Sequence, residues 1–427
     1  MPADFEQETI NLTLQIPVRY SADIAVIGGG IAGVCAACAA AKRGLSVILV
    51  ERFAVAGGDL TSGGVASFCG ETAGQGELFD EIINRLDAFG AVVPYRPFDE
   101  KSSRVFNHHF LAVVLQEMLL DYSVKLLLHT RLIDAVVTGR TITECVVCGS
   151  SGPEALRAKV YIDCTGEGAL AHASGFATMK GRPEDGLSLP MSMMFFVRHH
   201  PDGECLPQVP DGLFERITSA DDLPMTSIWP NGPGGNAIKI KIPRFDATDT
   251  ESLTAAEITA RRRMMAVLDY FQRVEKKPWL FDGCSPQIGI REGRRITGGY
   301  VLTVDDLRAG RQFPTAVARG VYYLDGHKPD DDKRTYILPK DELNVPPYQI
   351  PLECLIAKDG ENLLMAGRCF SADQLALSSA RVATTCAMMG QAAGIAAALS
   401  IKNKCGIKAM DPLLVRMDVE RCGAVLG

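Results

Sequence analysis

No stretch that reads as a membrane span, no block of one charge and no paired-cysteine framework marks this 427-residue sequence. Its longest basic run is Arg261-Arg262-Arg263 and its formal net charge is −7, so nucleic acid is not expected as the main partner. The most apolar helical stretch, residues 383–401, is interrupted by Thr384, Thr385, Gln391 and several glycines. It reads as a packed core helix, and no membrane association is expected. The opening residues, MPADFEQETINL, are acidic and carry no apolar run, so no signal peptide is expected and a cytoplasmic location is the expectation. The 13 cysteines are odd in number and scattered, as free thiols in a reducing compartment would be. The CxxC spacings at Cys35/Cys38, in an Ala-rich helix, and Cys145/Cys148, in a Val-rich strand, read as packed thiols. The pairs His108-His109 and His199-His200 are adjacent and cannot readily share one ion, so no metal is expected. What remains is globular, 47% hydrophobic and 22% charged, and long enough for two or three domains.

The informative signal begins at Asp23. Asp23–Ile27 is a short apolar strand, Gly28-Gly-Gly-Ile-Ala-Gly33 a glycine turn, and an Ala-rich helix follows to Arg43. Gly44 ends that helix, and Ser46–Glu51 forms the next strand. The spacing of Gly28, Gly30 and Gly33 in a strand–turn–helix context predicts a dinucleotide turn. Gly28 permits the turn, Gly30 lets a pyrophosphate approach the backbone, and Gly33 lets helix and strand pack closely. The helix N-terminus supplies N–H groups to the phosphates. Glu51, ending the second strand, can take both hydroxyls of an adenosine ribose and would repel a 2′-phosphate.

Gly57-Gly58-Asp59-Leu60-Thr61 follows the acid directly and suits a second pass of backbone beside a long cofactor, which favours FAD over NAD. Strands at 125–129, 132–138, 141–148 and 155–164 then follow, the last three as a β-meander. Asn107 is expected to cap a helix through Tyr122 with Phe110, Val113, Val114, Leu115, Met118 and Leu119 on its apolar face. Thr254 with Glu257 is expected to form the capping box of a helix to Glu275, and Ala237–Ile242 to be a half-exposed strand.

Ile162-Asp-Cys-Thr-Gly166 resembles the second FAD fingerprint of the glutathione-reductase superfamily, and Asn362-Leu-Leu-Met-Ala-Gly367 its third. Together with GGDLTSGGVASFCG, REGRRITGGY, YYLDGH and the block from Glu361 to Gly394, these resemble the FAD-dependent oxidoreductases related to heterodisulfide-reductase-type and fumarate-reductase-type flavoproteins. The resemblance runs over nearly the whole chain. It implies an α/β fold: a Rossmann-type FAD-binding domain with a β-meander, from residues 20–185 and 340–427, and an inserted α+β cap or substrate domain at 186–339. It implies FAD contacts at Arg52, Gly58, Asp59, Leu60, Thr61, Leu132, Gly166, Gly367 and Arg368, besides the glycine turn and Glu51. Arg368 departs from the superfamily's usual Asp, which leaves the ribityl contact unassigned. Gln374, where relatives often carry His, is a candidate substrate contact.

Ser378, Ser379 and Arg381 are expected near the start of a long helix from about Leu377, aimed at the flavin pyrimidine edge; the alternative is a plain core helix. Arg291, Arg294 and Arg295 could clamp a carboxylate through paired hydrogen bonds, or form an ordinary basic turn. His327 is the candidate acid or base, or else a structural loop histidine. No second GxGxxG appears, so a separate NAD(P)H domain is not expected, and no halogenase tryptophan motif surrounds Trp229 or Trp279. The leading expectation is an enzyme that moves a hydride between flavin N5 and a small organic substrate of anionic character, with room for a separate electron acceptor and for a homo-oligomer. The rivals are an electron-transfer subunit serving partner proteins and a flavoprotein in which FAD has no net redox role.

Overall fold

The computed structural model describes residues 9–94 and 104–427. Strand β1 (Val18–Ile27) enters the core with Ile24, Ala25 and Val26 fully buried. It turns through Gly28 into α1 (Ile31–Ala41), and the chain returns as β2 (Val47–Val50), parallel to β1. This is the βαβ unit the glycine spacing predicts. Helix α2 (His108–Asp121) begins at Asn107, whose side chain accepts the N–H groups of His109 and Phe110. Leu111, Val114, Leu115, Met118 and Leu119 form its buried face, while Phe110 and Val113 are exposed. The apolar stripe read from the sequence was too wide: a surface helix buries one stripe and leaves flanking apolar residues in water.

Strands β3 (Lys125–Leu127), β4 (Arg131–Thr138), β5 (Thr141–Gly149) and β6 (Gly152–Asp163) complete the main sheet, in the order β3-β2-β1-β6-β5-β4. The first half of β6 pairs antiparallel with β5, as the meander requires; from Ala155 on it pairs parallel with β1.

A second sheet follows, with its own core. It is built from β7 (Met191–His199), β8 (Thr226–Pro230), β9 (Gly235–Ile242) and, after α3 (Thr250–Arg273), β10 (Trp279–Cys284), all antiparallel in the order β8-β9-β7-β10. Two expectations fail here. Strand β9 is internal to the sheet rather than half-exposed: Lys241 is fully buried, its Nζ donating to the Arg334 carbonyl at 2.6 Å. The period-2 pattern is real, but its polar face meets other protein and a cavity instead of solvent. Helix α3 starts one turn earlier than read, on Asp249, whose carboxylate accepts the Ser252 N–H. Thr254 lies inside the helix, and Glu257 accepts from Ile288 N–H and pairs with Arg261 instead of closing a capping box.

The last third of the chain returns to the first core. Strands β11 (Ala316–Gly320) and β12 (Tyr348–Pro351) pair antiparallel. Leu302, Leu307, Val317, Ala318 and Leu324 pack in the same core as α1, although the sequence assigned them to the cap. Strand β13 (Leu363–Met365) lies parallel to the second half of β6, taking the place the meander vacates. The single helix expected from Leu377 is two: α4 (Gln374–Ala380) and α5 (Ala383–Lys402), separated by Arg381 and an extended Val382. Helix α5 is long and apolar enough to cross a membrane by length and composition, yet 89% of it is buried in the fold. It lies against α1 so closely that a Cβ on Gly390 would stand 2.1 Å from the Ala32 carbonyl oxygen.

Candidate functional site

One cavity runs along the C-terminal ends of β1, β2 and β6 and continues under the cap sheet. Its first half is made of backbone. Gly28 has φ +102°, a conformation that side-chain-bearing residues avoid. Gly33 sits so close that a Cβ there would stand 1.9 Å from the Gly28 carbonyl oxygen. A Cβ on Gly30, in contrast, would meet nothing within 4 Å, because that position faces the cavity. The second glycine run lies beside the first: Gly57 N–H donates to the Gly29 carbonyl at 2.7 Å, and Gly57 bridges Gly30. Glu51 is buried at one end, its carboxylate accepting Gly29 N–H at 2.7 Å and Phe53 N–H at 2.9 Å. Burial raises its pKa against the pull of those two donors.

The charged groups of this half are paired. Arg52 holds Glu167 through two hydrogen bonds, at 2.8 and 3.2 Å. Arg368 pairs with Asp59 and donates to the Gly166 carbonyl. Asp59, a predicted contact from the second glycine run, stands against Arg368 and supplies the carboxylate at this point of the cavity. Both helices that open onto this cavity, α1 and α5, lack any side-chain cap at their N-termini, and Ile31 and Ala383 line it. Two uncapped N-termini, a turn with room for an oxygen atom at Gly30 and a buried acid at the ribose position fit a bound FAD.

The second half is made of side chains from distant segments: Cys69, Ser192, Lys239, Arg291, Tyr322, Asp325 and Arg381. Asp325 is held twice, by Arg381 Nη2 at 2.8 Å and by His327 Nε2 at 3.0 Å. Burial opposes its ionisation, yet His327, Arg381 and Lys239 hold its carboxyl below the usual range. Arg291 is 8% exposed and makes one hydrogen bond, from Nη1 to the Pro190 carbonyl at 2.7 Å. Burial and the neighbouring Arg381 pull its pKa down to about 10. Lys239 has no hydrogen-bond or ion-pair partner among the described residues. Burial and Arg291 lower its pKa to about 8. Burial raises the Cys69 thiol, so it is protonated at neutral pH.

Among the sequence-predicted residues, Gly28, Gly30, Glu51, Arg52, Gly58, Asp59, Leu60, Leu132, Gly166, Arg291, Gly367, Arg368 and Arg381 line this cavity. The others do not. Gly33 acts behind it, through the packing just described. Thr61 turns inward to bond the Ala56 carbonyl at 2.8 Å. The three arginines do not converge: Arg295 is buried against Glu292 at 3.0 Å, and Arg294 packs beside Gly168 outside the cavity. Gln374 donates to Glu292 at 2.7 Å and to the Leu187 carbonyl, so it braces the cap rather than facing a ligand. Ser378 and Ser379 are fully buried at the end of α4, bonding the carbonyls of Leu375 and Tyr322. The helix N-terminus at the cavity is that of α5, four residues further on. His327 is 1% exposed and stands behind Asp325; burial, then Arg291, lowers its pKa to about 3. Lys239, Tyr322 and Asp325 are the residues that sequence reading missed. The lysine's only sequence signal is its place with Lys241 on one face of an Ile-rich strand, which solvent exposure explains as readily.

Two solved structures share this fold. One is the flavin-dependent brominase Bmp2, at 13% identity and a TM-score of 0.50, covering 94% of this chain and 83% of that one. The other is the myxobacterial chondrochloren halogenase CndH, at 14% identity and a TM-score of 0.50, covering 95% of this chain and 79% of that one. At this identity the likeness is one of fold. No curated protein matches the sequence. A family model described as FAD dependent oxidoreductase matches residues 23–419, which takes in both halves of the cavity and the cap. The chain belongs to the FAD dependent oxidoreductase family.

Proposed function

We propose that this FAD-dependent oxidoreductase passes a hydride between the flavin and a small organic anion bound under the cap sheet. One observation carries the anionic part. Among the described residues, Arg291 lines the cavity with no carboxylate partner, while the acid beside it, Asp325, is already taken by Arg381 and His327. An unpaired cation held away from bulk water is costly, and a carboxylate arriving on it removes that cost. When bound, FAD supplies two-electron chemistry as a hydride acceptor or donor. The chain's own residues do the rest. Arg291 offers its unused N–H groups to the substrate anion, fixing orientation. The cap sheet excludes water from the site. The N-terminus of α5, with Arg381, presents positive potential to negative charge that gathers on the flavin during reduction. The finer kinship, to heterodisulfide-reductase-type and fumarate-reductase-type flavoproteins, is supported by the sequence blocks, and a separate electron acceptor belongs to the same proposal.

The test pairs two neighbouring arginines. Arg291→Ala should weaken binding of small carboxylates, read as a perturbation of the flavin spectrum, by roughly 2–5 kcal/mol, with FAD content intact. Arg294→Ala should change neither. Equal behaviour of the two variants, or loss of FAD in Arg291→Ala, sinks the reading.

A further inference from the structure

Resting on that reading of the site, we propose that Lys239 is the residue that takes the substrate's proton, and that the substrate is a 2-hydroxy or 2-amino carboxylate. The argument is geometric. Lys239 projects into the cavity from the internal strand β9, an element whose position is fixed by pairing on both sides. The titratable and charged groups around it are Arg291 from the loop after β10, Asp325 and His327 from the segment after β11, Arg381 from the α4–α5 junction, Cys69, and Tyr322, whose phenol burial keeps protonated. Arg291 cannot lose its proton in function, and the Cys69 thiol is held protonated. Asp325 is ionised but doubly bonded, and His327 is shielded behind it. Lys239 alone among them is free, cavity-facing and able to alternate between ammonium and amine near neutral pH.

The substrate class follows from the adjacency of the two roles. The anion holder, Arg291, and the proton acceptor, Lys239, are electrostatic neighbours in one end of one cavity. A carboxylate on Arg291 therefore brings its own α-carbon substituent toward Lys239. In the oxidation, the α C–H bond breaks and its electron pair leaves with the hydrogen to FAD. The O–H or N–H bond breaks and its proton goes to the neutral Lys239 amine. A C=O or C=N bond forms, the substrate is oxidised by two electrons and FAD is reduced by two. Lys239 then returns its proton to solvent.

The experiment uses the FAD-loaded protein under anaerobic conditions, with a panel of short 2-hydroxy and 2-amino carboxylates, and benzoate as an inert carboxylate. Wild type should be bleached by a member of the panel, with a rate at low substrate that rises through about pH 8. Lys239→Gln should slow saturated bleaching by on the order of 10²–10⁴-fold and flatten the pH profile, with benzoate binding largely kept. Lys239→Arg, which keeps the charge and cannot deprotonate, should bind benzoate as wild type does and fail to bleach. If Lys239→Gln weakens benzoate binding and leaves the saturated rate alone, Lys239 only holds the anion. The inference then falls and the anionic reading stands. Benzoate binding without bleaching by any panel member has the same meaning. If wild type binds no carboxylate at all, the anionic reading itself fails, and this inference with it.

Discussion

The two halves of the cavity are built on opposite plans. The nucleotide half presents backbone N–H groups and one buried acid, all within Gly28–Leu60 plus short returns at Arg131, Gly166 and Gly367. Its charged side chains are paired with each other. The cap-side half uses side chains gathered from residues 69 to 381, and two of its cations are left unpaired. The first plan tolerates little change in main-chain shape. The second is tolerant of shape and governed by charge. A cofactor that never leaves suits the first, and a ligand that must come and go suits the second.

The comparison breaks most visibly at two glycines. Gly33→Val forces a side chain into the Gly28 carbonyl and should unfold the nucleotide unit, a loss above about 4 kcal/mol. Gly30→Val meets no protein atom, so the apo protein should melt as wild type does while purifying colourless. Thermal melts with flavin absorbance separate the two, and a Gly30→Val protein that keeps FAD would undo the assignment of the nucleotide half.

On the other side, Asp325→Ala strips Arg381 and His327 of their acid and leaves the cations unrelieved. We expect roughly 3–5 kcal/mol lost in denaturant titrations, with partial recovery on adding benzoate. A smaller effect comes from His327. Its folded pKa lies at about 3, below the unfolded value near 6.5, so the unfolded state binds more protons between the two. Stability should therefore fall as pH drops through that window, by up to about 1.4 kcal/mol per pH unit, and His327→Gln should flatten the slope. If the slopes match, the histidine is already charged in the fold. The mildest test is Glu51→Gln, which turns one acceptor into a donor facing a backbone N–H; FAD affinity should drop about tenfold with no new pH dependence.

The difference in plan also decides what could be read from the sequence. The nucleotide turn is local: Gly28, Gly30, Gly33 and Glu51 carry their roles within one βαβ unit, so spacing alone predicts them. The meander and β13 were legible for the same reason, as apolar strands bounded by turn residues. The cap-side site is not local. Arg291, Arg294 and Arg295 look equivalent in sequence, and only tertiary packing gives Arg295 to Glu292, turns Arg294 away and leaves Arg291 at the cavity. Lys239 was hidden because an alternating strand does not say whether its polar face meets water, protein or a ligand. The break at Arg381–Val382 was hidden too, since neither residue forbids a helix and the extended backbone there is imposed from outside.

The seam between α1 and α5 fixes an order of events in biosynthesis. Ala32 and Ala36, just past the nucleotide turn, are packed against Gly390 and Gly394, near the other end of the sequence. A contact with that much chain between its partners forms late and slowly, because the intervening loop must close first. During synthesis the glycine turn is made early and then waits, its helix without the neighbour that holds it, until almost the whole protein has left the ribosome. The nascent chain thus exposes the partnerless face of α1 during most of its translation, and a product truncated before Gly390, however complete its fingerprint, lacks the helix that packs on α1.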